Sequence, residues 1–246
     1  MRILAIDTAT QLCGVAVLDS ESGRFVRRLQ AVTTHSEMLL SVVSACLDEL
    51  GMPVGELGAV ALGAGPGSFT GLRIGCATAK GLCYALSIPL LMVSSLHALA
   101  EPHRERGSVL ATLDAFRGQV YARLLRSTLA SPRLFALTEQ YPQLLTDAAW
   151  NPDELAALLT SVASEIWLCG GGVTRYPQLR MASTQAELIA DLDPLVVARL
   201  GLAKLADGQT AHLASALPTY VTVSAAEENQ PARAREAEQE SAAWTR

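Results

Sequence analysis

The chain has 246 residues, of which 50% are hydrophobic and 17% charged, a balance that excludes an intrinsically disordered chain and leaves one large or two compact domains. A formal net charge of −5 provides no global field that would draw it onto nucleic acid, so any RNA contact needs a local patch or a partner. Its longest apolar stretch, residues 82–99, is broken by Tyr84, Pro89 and His97 short of the roughly 18 residues that cross a bilayer, and no membrane association is expected.

In chain order, residues 1–7 carry one basic residue and too short an apolar run for a signal peptide, so they read as the first strand of a cytoplasmic protein. A turn at residues 8–11 leads to a second strand over 13–19, and a third is expected over 24–32. Thr34 and Glu37 have capping-box spacing ahead of a helix over 36–50 that Gly51 and Pro53 stop. Within it Met38, Leu39, Leu40, Val42, Val43, Cys46, Leu47 and Leu50 cover more than the ~100° stripe of a surface helix, so part of that face needs a second cover. A buried strand over 57–63 opens on a loop, residues 63–71, built of Gly-Ala-Gly-Pro-Gly-Ser-Phe-Thr-Gly. The helix that follows, 71–86, repeats Gly71, Gly75, Ala79 and Cys83 every four residues, a strip along which another backbone can approach. Pro89 then resets the chain into a strand over 90–93.

After a charged break at 101–107, strands are expected over 109–113, 119–126 and 166–169, with helices over 152–163 and 194–206. This economy suggests two αβ lobes, 1–103 and 104–223, followed by a polar segment, 224–246, expected to be a mobile tail. No internal repeat is evident in the sequence.

Asp7 ends the first strand where actin-like and sugar-kinase-like ATPases place a phosphate-facing acid, yet Thr8 stands where a phosphate would need glycine to reach backbone amides. Asp7 and Thr8 are therefore candidates for a vestigial nucleotide site, and a structural carboxylate accepting turn hydrogen bonds is the competing reading. The loop 63–71 lacks the ending of a Walker loop, and Ser68 fits neither G-x-G-x-x-G nor a nucleophile elbow; a rigid loop that sets a helix start explains it. No two of His35, His97, His103 and His212 lie three or four apart, so no helix face offers a metal pair. Cys13, Cys46, Cys76, Cys83 and Cys169 contain no C-x-x-C pair and read as buried thiols. Gly170 to Gly172 suit either close approach of an adenine or ribose or a tight strand-to-helix turn. Arg104, Arg106, Arg117, Arg123, Arg126 and Arg133, against Glu105 and Asp114, form a local positive excess suited to tRNA phosphates or to a solvated strand face.

Several spaced motifs go together: Ile3-Leu4-Ala5-Ile6-Asp7-Thr8-Ala9-Thr10, the Gly65-Pro66-Gly67-Ser68-Phe69-Thr70-Gly71-Leu72-Arg73-Ile74-Gly75 block, Ser94-Ser95-Leu96, Asp114-Ala115-Phe116-Arg117-Gly118-Gln119-Val120-Tyr121 and Pro218-Thr219-Tyr220. Through them residues 1 to about 223 resemble the TsaB family, also called YeaZ. The resemblance implies an α/β, two-lobed actin/Hsp70/sugar-kinase fold and kinship with TsaD, which attaches threonylcarbamoyl to N6 of adenosine 37 in tRNAs reading codons that begin with A. TsaD carries a His-x-x-x-His metal pair, which this sequence lacks. The implied role is that of a non-catalytic subunit with no required cofactor beyond weak ATP or ADP binding. It would pair with TsaD as a heterodimer, work with the ATPase TsaE and with threonylcarbamoyl-adenylate from TsaC, and meet tRNA through the complex. The N-terminal-lobe helices would form the contact, through Leu39, Val42, Val43, Cys46, Leu47, Gly71, Gly75, Ala79 and Cys83, with TsaD or with a second copy. A self-sufficient ATPase or kinase of the same fold and a glycoprotease-like peptidase are the alternatives.

Overall fold

Two five-stranded sheets organise the chain in the computed structural model, which describes residues 1–31, 35–181, 187–188 and 191–221. The first half runs β1 (Arg2–Asp7), β2 (Leu12–Asp19), β3 (Phe25–Ala31), α1 (His35–Leu50), β4 (Ala59–Gly63), α2 (Phe69–Leu86), β5 (Leu90–Val93) and α3 (Ser95–Ala100). Its sheet has the order β3-β2-β1-β4-β5, antiparallel among β1, β2 and β3 and parallel from β1 through β4 to β5. The central strands are covered on both faces, which is why 3–6 and 59–62 read as unbroken apolar runs rather than as alternation.

The second half runs β6 (Ser108–Asp114), β7 (Val120–Leu125), α4 (Pro132–Gln140), β8 (Ala148–Trp150), α5 (Pro152–Leu159), β9 (Ile166–Cys169), α6 (Gly171–Arg175), α7 (Pro177–Met181), β10 (Glu187–Leu188) and α8 (Pro194–Ala206). Its order, β10-β9-β6-β7-β8, repeats the first sheet with β6 in the place of β1. The chain is thus duplicated in topology although no repeat shows in its residues.

Side-chain spacing and caps explain the helix limits. Asp193 accepts from the Leu195 N–H and Pro194 fills the first helical position, where its missing donor is no loss. Helix α2 starts at Phe69, two residues before the expected boundary, behind the cap Ser68, whose Oγ accepts from the Gly71 N–H at 3.3 Å. Strand β4 starts two residues later than expected because residues 54–56 form a 3₁₀ turn. Thr34 of the expected capping box and the segment 224–246 lie outside the described residues.

Three cores result. Helices α1 and α2 cover one face of the first sheet, where Leu39, Val43, Cys46 and Leu47 meet Leu4, Ile6, Val15 and Leu62. A second core lies on the outer face of the second sheet, from Leu124 and Leu168 to Leu134, Leu155 and Leu179. The third lies between the sheets, and there the two lobes exchange helices: α3 packs on β6 and β7, while α8 packs on β1, β2 and β4. Helix α8 and the strap that follows it thus return to the first sheet. The Ala211 N–H donates to the Leu90 carbonyl at 2.8 Å, Lys80 Nζ to the Ala216 carbonyl at 3.1 Å, and the Thr219 N–H to the Ala64 carbonyl at 2.7 Å. Helix α8 is apolar on most sides because it is sandwiched, which a single-core helix would not need. Among the described residues no helix is long and apolar enough to cross a membrane.

The approach of α8 is close enough to test. A Cβ on Gly201 would stand 2.6 Å from the Ala61 Cβ and 3.2 Å from Ile3 Cδ1. Gly201→Val should therefore cost about 1–3 kcal/mol through overpacking, seen as a lower urea midpoint at unchanged slope; an unchanged midpoint would show that α8 does not seat this closely.

Candidate functional site

In open α/β sheets ligands enter at the carboxyl ends of the parallel strands, where the strand order reverses. Here that place is bounded by Asp7 of β1, Gly63 of β4 and Val93 of β5. Asp7 is 2% exposed. Its Oδ1 accepts from the Ala9 N–H at 2.9 Å and its Oδ2 from the Ser95 hydroxyl at 2.8 Å. Burial pushes its carboxyl up to about 6, against the opposing pull of those two hydrogen bonds. The strand beside it has glycine because nothing larger fits: a Cβ on Gly63 would lie 1.7 Å from Asp7 Oδ2.

Thr8 is fully buried, and its Oγ1 donates to the Gly71 carbonyl at 2.8 Å. A Cβ on Gly75 would stand 2.3 Å from that oxygen. The glycine-rich loop is stitched in the same way. The Ala64 N–H donates to the Val93 carbonyl at 2.7 Å, the Gly65 N–H to Ser95 Oγ at 3.3 Å and the Ser68 N–H to the Ala9 carbonyl at 2.7 Å. The strap seals the top through Thr219 and Ala64. Asp7 and Thr8 thus bond groups of the chain itself, and the Ala64, Gly65 and Ser68 amides have internal acceptors.

The nine candidate interface residues face inward in the isolated chain. Leu39, Val42, Val43, Cys46, Leu47, Gly71, Gly75, Ala79 and Cys83 are all buried inside the chain. The broad apolar stripe of α1 is covered by β2, β3 and α2 together, and the backbone that approaches the small-residue strip of α2 is the turn at Thr8. What α2 presents outward is a second strip, Phe69, Arg73, Ala77 and Gly81, with Tyr84 83% exposed. A Cβ on Gly81 would meet nothing within 4 Å. At one end the Phe69 and Tyr220 rings lie 5.2 Å apart, the Arg73 guanidinium sits 4.0 Å over Phe69, and Arg73 Nε donates to the Tyr220 hydroxyl at 3.2 Å. The same four-residue spacing signals both strips, and the sequence reading chose the more apolar one, which the core had claimed.

The remaining candidates resolve individually. Ser68 is a helix cap. A Cβ on Gly170 would stand 2.2 Å from the Thr112 carbonyl oxygen and one on Gly172 2.7 Å from the Thr112 Cβ, so close packing of this turn on β6 accounts for both glycines. Among these arginines, Arg104 pairs with Glu101, Arg106 lies over Trp167, Arg123 pairs with Asp147, and Arg126 bonds Thr138 and lies over Phe135, so they are engaged within the chain. All five cysteines are buried and free. His97 approaches Glu101 at 3.2 Å, His212 is exposed, and no group of three metal-ligating side chains occurs among the described residues.

A duplicated β3-β2-β1-β4-β5 topology with crossed helices is that of the actin/Hsp70/sugar-kinase superfamily, here with Asp7 and Thr8 buried at the strand ends. The family model described as "TsaD: tRNA N6-adenosine threonylcarbamoyltransferase" matches residues 29–141. The tRNA threonylcarbamoyladenosine biosynthesis protein TsaB of Haemophilus influenzae is 30% identical over 158 residues, 63% of this chain and 66% of that protein. The protein of the same name from Escherichia coli is 40% identical over 124 residues, 49% of this chain and 53% of its own length. The structure of YeaZ from Pseudomonas aeruginosa superposes with a TM-score of 0.70 at 28% identity, covering 89% of this chain and 100% of that one. The chain belongs to the TsaB family, also called YeaZ. It spans about half to two thirds of the length of the curated relatives it matches.

The buried carboxyl makes stability depend on pH with a definite sign. Asp7 is raised from 3.8 to about 6, so the native chain keeps a proton that the unfolded chain has released. The stability this contributes is full below pH 3.8 and is lost as pH rises through about 6, a fall of about 3 kcal/mol. Urea titrations of the parent and Asp7→Asn between pH 4 and 7 should show that fall in the parent alone; parallel profiles would contradict it.

Proposed function

We propose that this chain is a non-catalytic accessory subunit of a tRNA threonylcarbamoyladenosine assembly, acting by binding and activating the TsaD transferase that modifies N6 of adenosine 37 in tRNAs reading codons that begin with A. Family membership supports the pathway, since the relatives above are named for it. The observation that carries the non-catalytic reading is the filled crevice: each Asp7 oxygen, the Thr8 hydroxyl and the amides of Ala64, Gly65 and Ser68 have partners within the chain. A self-sufficient kinase or ATPase needs that crevice open. A peptidase needs a free nucleophile, whereas Ser68 Oγ caps α2 and burial raises the five thiols.

The partner surface in this reading is the outward strip of α2 from Phe69 to Tyr84. A helix displaying Ala77 and Gly81 between two aromatic ends admits another helix closely and offers rings at its margins. TsaD is the intended partner, a second copy of this chain can compete for the same strip, and TsaE and TsaC act with the assembly. The reading places the protein in the cytoplasm and asks for no cofactor of its own.

Purified TsaC, TsaD and TsaE should form threonylcarbamoyladenosine on tRNA when this chain is present and not when it is omitted; equal product without it would sink the proposal. A second experiment locates the surface. Gly81→Arg should weaken co-purification with TsaD at least about tenfold, while raising the stability of the isolated chain by about 1 kcal/mol through helix propensity. Leu39→Asp should instead unfold the chain, because Leu39 is 1% exposed. Undiminished TsaD binding by folded Gly81→Arg would move the interface elsewhere.

A further inference from the structure

Adjacent serines stand where the chain crosses from the first lobe to the second. Ser94 and Ser95 follow β5 in the first sheet and open α3, which packs on the second sheet at β6 and β7. Each hydroxyl has one proton to give, and each gives it to a carboxylate of a different lobe. Ser95 Oγ donates to Asp7 Oδ2 at 2.8 Å, and the Ser95 N–H donates to the Gly65 carbonyl at 2.8 Å. Ser94 Oγ donates to Asp147 Oδ1 at 2.8 Å while accepting from the His97 N–H at 3.0 Å as the cap of α3. Asp147 lies just before β8, with a side chain only 10% exposed, and Arg123 of β7 meets the same oxygen at 3.1 Å.

We propose that Ser94 and Ser95 form the pivot that fixes the angle between the lobes, with the Ser94–Asp147–Arg123 cluster as its latch on the second lobe. The charge-assisted bond from Ser94 is directional, and breaking it strands a largely hidden carboxylate against a single guanidinium. The apolar contacts between the sheets, such as Leu99 and Leu113 with Leu195, are non-directional and tolerate sliding. Angular definition therefore comes from the polar pair. Because Ser94 and Ser95 are joined by one peptide unit, a displacement of the turn at residues 8–11 or of the loop at 63–71 reaches Asp147 without passing through the sheets. This device belongs to the chain itself and does not depend on the partner reading above.

The test is a distance measured across the lobes in the full chain. Cysteines introduced at the exposed Gln30 on β3 and Ala157 on α5 take spin labels. The five native thiols are buried and raised by that burial, which keeps labelling selective. The parent should give one narrow distance distribution. Ser94→Ala and Asp147→Ala should each widen it by about twofold or split it, and Ser94→Thr, which keeps the hydroxyl, should restore the narrow one. Should Ser94→Ala fail to fold for want of its helix cap, Asp147→Ala decides, because it leaves the cap intact. Distributions unchanged in both alanine variants, or widened as much by Ser94→Thr as by Ser94→Ala, would overturn the proposal.

Discussion

Asp7 places a carboxylate, 2% exposed, at the end of a central strand, and a buried acid there costs free energy unless donors converge on it or it keeps its proton. Both responses are visible, and each constrains the sequence around it. The Ala9 N–H meets one oxygen, which fixes the turn between β1 and β2. Ser95 meets the other, which fixes where α3 starts. Gly63 supplies the missing side chain without which the carboxylate would not fit, and the loop that follows is tied to Ala9, Val93 and Ser95 by its own amides. One titratable group thus gathers the turn, the glycine-rich loop, the crossing to the second lobe and, through Ala64 and Thr219, the returning strap.

That arrangement gives a physical account of how one superfamily topology can serve two purposes. A nucleotide-using member leaves backbone donors at the strand ends for phosphate oxygens. Here Thr8, fully buried next to Asp7, bonds the first turn of α2 through its hydroxyl. The outer face of α2 meanwhile bears Phe69, Arg73, Gly81 and Tyr84. In the accessory role proposed above, α2 would present this solvent face to a partner, at low conformational cost if the helix is already well ordered.

Much of this was legible in the residues. The limits of β5, β9 and α8 follow from Pro89, the triple glycine after Cys169 and the Asp193-Pro194 start, all local signals. Helix α3 was not legible because six residues buried on nearly every side leave no amphipathic period to read. The duplication escaped for a related reason: strand order is set by long-range pairing, which two halves can share while their residues diverge. The resemblance pointed to α1 and α2 but not to a face, and apolarity favoured Leu39, Val43 and Cys46 over the outward strip because the core selects for the same property. The donor that meets the second Asp7 oxygen, Ser95, is 88 residues away in sequence, beyond the reach of any local signal.

Direct observation of Asp7 tests the account most sharply. Carboxyl carbon chemical shifts, followed by NMR through a pH titration of the isolated chain with and without Mg·ATP, report its protonation and its surroundings together. The account requires one titration with a midpoint of about 6 that is the same in both samples, as for an acid enclosed by Ala9, Ser95 and Gly63. A midpoint in the ordinary carboxylate range, or one displaced saturably by the nucleotide, would show that the crevice is open and that the chain has a ligand of its own.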